Sequence, residues 1–318
     1  MKRALSVLVL LLALSLVTSA LADDPLRVVA LKGPTAMGMA KMMSDDNGEA
    51  YAFTVESAAD LVAPLVIQGK VDIAAVPANL AAVLYNKTEG QVQVIAVNTL
   101  GVLYIVERGE TVQSVEDLRG RTIYASGQGA TPEYALNYIL RGNGIDPEQD
   151  VKIEWKTEHA ECLTALLQDE TGIALLPQPF VTTAMMKAEG LRVALDLNDL
   201  WNDLQAESEN PSSLLTGVVI VRKAYAEENP EKVNAFLENY AGSVEWTNAN
   251  TDDAAAVIAS FEIVPEAVAK KALPACNIVC IRAGEMQTML SGYLSVLFEA
   301  NPASVGGKLP GEDFYYLP

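Results

Sequence analysis

Short β-branched runs alternate with longer segments of helical period, and the alternation runs twice along the chain. The first series of extended runs covers residues 26–31, 50–55, 71–76 and 92–97, and the segments between them, 35–44, 57–68 and 78–85, carry apolar residues three or four apart. A strand–helix–strand order of this kind predicts a mainly parallel sheet with helices on both faces. The second series has runs at 121–125, 151–155, 172–176 and 191–195, separated by helical segments at 131–140, 160–167 and 180–188. Two more apolar runs, 101–106 and 215–221, fall between and after the two series, so the chain passes between two units twice. From Asn229 onward the pattern is helical, at 230–247, 252–260, 265–273 and 284–300. Those helices have no sheet of their own and must bury their apolar faces on one of the units. We expect the first. The prediction is a two-lobe α/β protein, with residues 23–103 and 215–318 in a discontinuous first lobe and 104–214 in the second.

The chain of 318 residues has 50% hydrophobic and 20% charged residues, enough apolar material for two cores. Its first 22 residues read as a secretory leader outside the fold: Lys2 and Arg3, an apolar stretch from Leu5 to Val17, and a small-residue exit at Ala20-Leu21-Ala22. No Cys stands near that exit to carry a lipid, so the expected product is exported, cleaved after Ala22 and soluble in the periplasm or outside the cell. Losing Lys2 and Arg3 takes the net charge from −19 to about −21. A surface that acidic repels phosphate backbones and anionic lipid, which excludes nucleic-acid binding. The apolar stretch at 94–106 is interrupted by Asn98, Thr99 and Gly101 and is too short to span a bilayer.

Three Cys, at 162, 276 and 280, are too few for a disulfide scaffold. Cys276 and Cys280 are close in sequence, but the residues between them read as extended, and four extended residues span more than a disulfide allows. With a single His in the chain and no Cys-x-x-Cys pair, no metal site and no cofactor is expected. No Gly-x-Ser-x-Gly elbow and no Walker A lysine occurs, so the enzyme readings lack their usual motifs.

Ligands of open α/β units bind at the carboxyl ends of strands and between lobes. Every such end here is polar or glycine-rich. In the first unit the candidates are Gly33, Pro34, Thr35 and Met37, then Glu56 and Ser57, Pro77 and Asn79, and Asn98 and Thr99. In the second they are Ser126, Gln128, Gly129 and Thr131, then His159, and Gln178. Gly33-Pro34-Thr35 and Gly129-Ala130-Thr131-Pro132 each place a hydroxyl and a Pro at a helix start, with Thr131 read as a cap and Pro132 as the first helical residue. Such starts favour a ligand oxygen, and equally they satisfy only their own helix. His159 has two open readings, a ligand contact in the cleft or a surface His beside Glu158 and Glu161. Glu56 and Glu158 would favour a cation or an amine over a sulfonate. Met37, Met39, Met42 and Met43 share helical spacing that suits core filling better than copper or haem ligation, with Met37 nearest the cleft.

Taken in order, several segments resemble the ABC-importer substrate-binding proteins for taurine, alkane sulfonates, nitrate and thiamine precursors. They are the leader, Leu31-Lys32-Gly33-Pro34-Thr35-Ala36-Met37-Gly38-Met39, Gly69-Lys70-Val71-Asp72-Ile73-Ala74, the run from Ser114 to Arg121, and Gly306-Gly307-Lys308-Leu309-Pro310 with Phe314-Tyr315-Tyr316. The resemblance covers the mature chain. It implies the type II periplasmic-binding-protein fold with two hinge crossovers, a monomer that is not an enzyme, and capture of a small molecule such as a sulfonate, nitrate, pyrimidine or thiamine precursor for delivery to an ABC permease. Its rivals are an enzyme on the same fold, of hydrolase or cofactor-biosynthesis type, and a sensing subunit that signals to a membrane receptor.

Overall fold

The computed structural model describes residues 24–46, 48–208 and 211–317. The expected leader, residues 1–22, lies outside the described residues. The chain opens with β1 (Leu26–Leu31), and the single helix expected after it is divided into α1 (Pro34–Met37) and α2 (Ala40–Asp46). The division falls at Gly38, where a Cβ would stand 2.8 Å from Ile278 Cγ2. β2 (Tyr51–Glu56), α3 (Ala59–Ile67), β3 (Ile73–Pro77), α4 (Ala78–Lys87) and β4 (Val92–Leu100) complete the first series. The second comprises β5 (Leu103–Arg108), β6 (Thr122–Ser126), α5 (Thr131–Gly142), β7 (Lys152–Lys156), α6 (His159–Gln168), β8 (Ile173–Pro177), α7 (Phe180–Lys187) and β9 (Leu191–Asp196). Then come α8 (Leu197–Gln205), β10 (Leu215–Arg222), α9 (Lys223–Glu228), α10 (Pro230–Ala249), α11 (Thr251–Ser260), α12 (Glu266–Ala272), β11 (Ile278–Ile281) and α13 (Ala283–Ala300).

The strands form two sheets, one of six in the order β11-β4-β10-β3-β1-β2 and one of five in the order β7-β6-β8-β5-β9. Both are mainly parallel, as expected, with a minority of reversed strands. β1 pairs in parallel with β2 and β3, but β10 runs antiparallel between β3 and β4. Likewise β6 is parallel to β7 and β8, while β5 runs antiparallel between β8 and β9. Besides the edge strand β11, the reversed strands are β5 and β10, the two that carry the chain from one sheet into the other. Each is buried on both faces, and so reads as a continuous apolar run like its parallel neighbours.

Close packing fixes β10 at one point: a Cβ on Gly217 would lie 2.4 Å from Asn98 Oδ1 and 2.8 Å from Thr35 Cγ2. At the far end of the same sheet Asp72, 4% exposed, accepts hydrogen bonds from Arg27 and Arg222. Burial alone would raise its pKa, but the two guanidiniums hold it below the usual carboxylate range. Ionic chemistry therefore closes the amino ends of β1 and β3, leaving their carboxyl ends polar and uncharged apart from Lys32.

One apolar cluster runs from the first sheet to the second. It joins Val29, Val76 and Val97 to Leu103, Ile105 and Ile123 through Trp201, Leu215 and Tyr293. A second cluster fills the other face of the first sheet, where Met37, Met39 and Met42 pack with Phe236 and Tyr240. A third, around Cys162, Leu166 and Leu176, lies on the other face of the second sheet. The late helices pack largely on the first sheet, with α10 and α11 against α2 and α13 against β4 and α4, but α13 also reaches α5, and α12 reaches α7.

Candidate functional site

The carboxyl ends of β1, β3, β4, β6, β7 and β8 supply the candidate residues, and hydrogen bonds gather many of them into three groups. In the first, Asn98 and Thr99 are fully buried. Asn98 Nδ2 donates to the Thr35 carbonyl at 3.5 Å, Thr99 Oγ1 donates to Asn98 Oδ1 at 3.2 Å, and the Thr35 hydroxyl donates to the Leu31 carbonyl at 2.8 Å. Gly33 caps α1 with φ 110°, a conformation that disfavours any side chain, and Pro34 is at the helix start as expected. Met37, at 0% accessibility, lies in the core cluster with Phe236 and Tyr240, so the core filling expected of its helical spacing holds over its reading as a ligand contact.

The second group links the sheets. Pro77 precedes α4, and Asn79 in its first turn accepts at Oδ1 from the Thr131 hydroxyl at 3.3 Å. Thr131 is thus not the cap of α5. Ala130 holds that position, and Thr131 and Pro132 are its first two helical residues. The backbone N–H of Gly129 is already taken, donating to Glu133 Oε2 at 2.6 Å, so the chain's own carboxylate serves the start of this helix.

The third group holds the histidine. Ser126, 2% exposed at the end of β6, shares a 2.5 Å hydrogen bond with Nδ1 of His159, the first residue of α6. The Phe180 ring lies 5.3 Å from the imidazole, tilted by 50°. His159 keeps some accessible surface although protein surrounds it closely, and desolvation pulls its pKa down to about 4. It is therefore neutral at pH 7, and its surroundings are not those of an exposed residue beside Glu158 and Glu161. Burial raises the thiol pKa of nearby Cys162, against a hydrogen bond with Ser126 that lowers it. Gln178, 7% exposed, directs Oε1 inward to accept from the Thr182 amide and hydroxyl.

Three candidates stand apart from these groups. Glu56 is half-buried at the end of β2, where its carbonyl accepts from Lys32 N–H, and Ser57 and Gln128 are exposed. Sequence reasoning missed Glu133, Phe180 and Tyr293. Glu133, four residues after Gly129, carried a readable capping signal; Tyr293 carried none, since nothing local to α13 marks a contact with a distant helix.

The all-neutral groups at His159 and Asn98 can accept and donate hydrogen bonds without committing a buried charge. Among the described residues no cluster of His, Cys, Asp and Glu is arranged for a metal, the three Cys are free thiols, and no helix is long and apolar enough to cross a membrane.

Comparison with known proteins accounts for this architecture. Residues 38–269 match the family described as ABC transporter, phosphonate, periplasmic substrate-binding protein. No curated protein matches the chain. An ABC transporter structure from Parabacteroides distasonis is 22% identical with a TM-score of 0.78, covering 92% of this chain and 99% of that one. The periplasmic aliphatic sulphonate binding protein SsuA from Escherichia coli is 17% identical with a TM-score of 0.73, covering 93% of each chain. The desulfurization enzyme DSZB also shares the fold, at 14% identity and a TM-score of 0.59, covering 88% of this chain and 93% of that one. These likenesses show the fold, and the family match shows the affiliation: the chain belongs to the periplasmic substrate-binding proteins of ABC transporters, in the phosphonate-binding family.

Proposed function

We propose that this chain is the solute receptor of an importer, exported and cleaved after Ala22, which takes a small polar molecule between two lobes and passes it to a membrane permease. The lobes are residues 23–103 with 215–318, and 104–214. The observation that carries the reading is that uncharged polar groups gather at the strand ends of each sheet, Asn98 and Thr99 in the first and, above all, His159 in the second. Ser126 orients its imidazole, Phe180 flanks it, and it stays neutral yet accessible. A ligand oxygen or N–H can bond Nε2 there, while its apolar part lies on the Phe180 ring. The phosphonate-binding family and the sulphonate-binding neighbour support an oxyanion-bearing organic molecule as the ligand class.

The test is to purify the protein natively, denature it, and identify what is released by mass spectrometry. A thermal-shift panel of phosphonates, sulfonates, nitrate, pyrimidines and thiamine precursors complements it. A true ligand at 100 times its dissociation constant stabilises by about 2.7 kcal/mol. Silence in both, with folded protein, would reject the receptor reading.

The enzyme neighbour raises a second reading, because Ser126 and His159 are in contact. Two features weigh against it. Ser126 is nearly inaccessible, and among the described residues no carboxylate bonds the His159 ring.

A further inference from the structure

A neutral imidazole carries its one ring hydrogen on either nitrogen, and the groups around Ser126 distinguish the two forms of His159. Nδ1 shares a hydrogen bond with the Ser126 hydroxyl at 2.5 Å, and that hydroxyl has a single proton to give. The nitrogen that bears hydrogen is therefore set by where the Ser126 proton goes. At 2% exposure Ser126 cannot turn it to solvent. Among the described residues its hydrogen bonds run to two side chains, His159 and Cys162, so the acceptors in reach are Nδ1 and the Cys162 sulfur. Cys162 is fully buried in the cluster with Leu166 and Leu176, and burial keeps its thiol protonated. Sulfur is a weak acceptor, whereas an unprotonated ring nitrogen is a good one.

With hydrogen on Nδ1, the ring would donate to Ser126 Oγ, and the Ser126 proton would be left with sulfur alone, a costly arrangement for a buried hydroxyl. With Nδ1 bare, Ser126 donates to it and still accepts from the Cys162 thiol, so every proton in the group meets an acceptor. The ring hydrogen is then on Nε2. His159 is also the first residue of α6, where the positive end of the helix dipole disfavours a second ring proton. Nε2 has no partner among the described residues, and the residue is only partly enclosed, beside the Phe180 ring. It is the nitrogen left for a ligand.

We propose that Ser126 is a positioning residue that fixes His159 as a hydrogen-bond donor at Nε2, and that the ligand meets this nitrogen with an acceptor oxygen, as of a phosphonyl, sulfonyl or carbonyl group, and not with an N–H. This rests on the receptor reading and narrows it. Ser126 then acts on the ligand through the ring.

The chain has one histidine, so isotope-labelled histidine gives a single set of ring signals, and long-range proton–nitrogen correlation spectra of the mature protein at pH 7 read its form directly. The parent should show hydrogen on Nε2. Ser126→Ala should lower the ratio of the Nε2–H to the Nδ1–H form about tenfold, the bias that one buried hydrogen bond supplies. Ser126→Thr, which keeps the hydroxyl, should restore the parent ratio, a result that a packing role for Ser126 would not give. Hydrogen on Nδ1 in the parent, or an unchanged ratio in folded Ser126→Ala, would overturn the assignment. The same spectrum is taken on protein as natively purified and after unfolding, dialysis and refolding. Nε2–H in both supports an acceptor oxygen, and a change to Nδ1–H confined to the natively purified protein would mean that the bound molecule donates to Nε2, which would overturn it. The ring is read whether or not a ligand is recovered, so failure of the receptor reading would be seen separately.

Discussion

Asn98 and Gln128 both stand just past strands, and their types alone gave them the same standing as ligand contacts. The structure separates them: Asn98 is fully buried on the Thr35 carbonyl against Gly217, while Gln128 is exposed. Asn98→Ala should therefore lower ligand-free stability by about 1–3 kcal/mol, the cost of leaving buried partners unsatisfied, with Gln128→Ala melting like the parent. Thermal melts of the two variants decide it, and equal melting would return Asn98 to the cleft. His159 allows a pH argument. Desolvation lowers its pKa to about 4 from an ordinary 6.5, so the folded state binds fewer protons than the unfolded chain between those values. The stability this neutral state confers is complete above pH 6.5 and is lost as pH falls toward 4. Denaturant titrations of parent and His159→Gln across pH 4–7 should show a steeper decline in the parent; parallel curves would mean the ring titrates normally. That His159 would stand at a strand end was legible from spacing, but its neutrality depends on neighbours brought from β6 and α7.

The elements were legible wherever period and length agreed, and less so where a distant contact decided. Strands β1 to β10 fall within a few residues of the β-branched runs, because buried strands need such runs whichever way they point. Direction was not legible: nothing in the composition of residues 101–106 or 215–221 distinguishes a reversed strand from a parallel one. The residues between Cys276 and Cys280 read as extended, and Ile278 and Val279 do lie in the short edge strand β11; the helix α8 was missed. Residues 197–205 place Leu197, Leu200, Trp201 and Leu204 at helical spacing, and Asp196 caps them by accepting from the Asn198 amide at 2.8 Å, so that signal was present. The start of α8 also presses on the first crossing. A Cβ on Gly101 would meet Asn198 Oδ1 at 2.6 Å and Asn198 Cβ at 2.9 Å, and Asn277 Nδ2 donates to the Gly101 carbonyl at 2.5 Å from the other side. Gly101→Ala should cost about 1–3 kcal/mol as an overpacked site. Calorimetry would measure it, and an unchanged midpoint would mean that α8 yields at its first turn.

At the scale of the molecule, two sheets joined by two crossings and a seam invite the question of whether they unfold separately. Independent unfolding requires an interface weaker than either unit, as polar domain interfaces commonly are. Here the apolar cluster is continuous across the seam, through Trp201, Leu215, Tyr293 and the valines and isoleucines of both sheets, and α13 packs on elements of each. Separating the units would expose part of that cluster to water at about 25 cal/mol per Å² while leaving each unit short of its core. We therefore expect one cooperative transition for the ligand-free mature protein. The tryptophans provide the test, since Trp246 lies on α10 beside the first sheet and Trp155 and Trp201 belong to β7 and α8 of the second. Fluorescence of a Trp246→Phe variant, which reports on the second unit, should trace the same guanidinium transition as far-UV circular dichroism, which reports on both. Calorimetric and van't Hoff enthalpies should also agree. A fluorescence midpoint displaced from the dichroism midpoint would show that the seam gives way before the sheets do, and that the continuous cluster contributes less than either core alone.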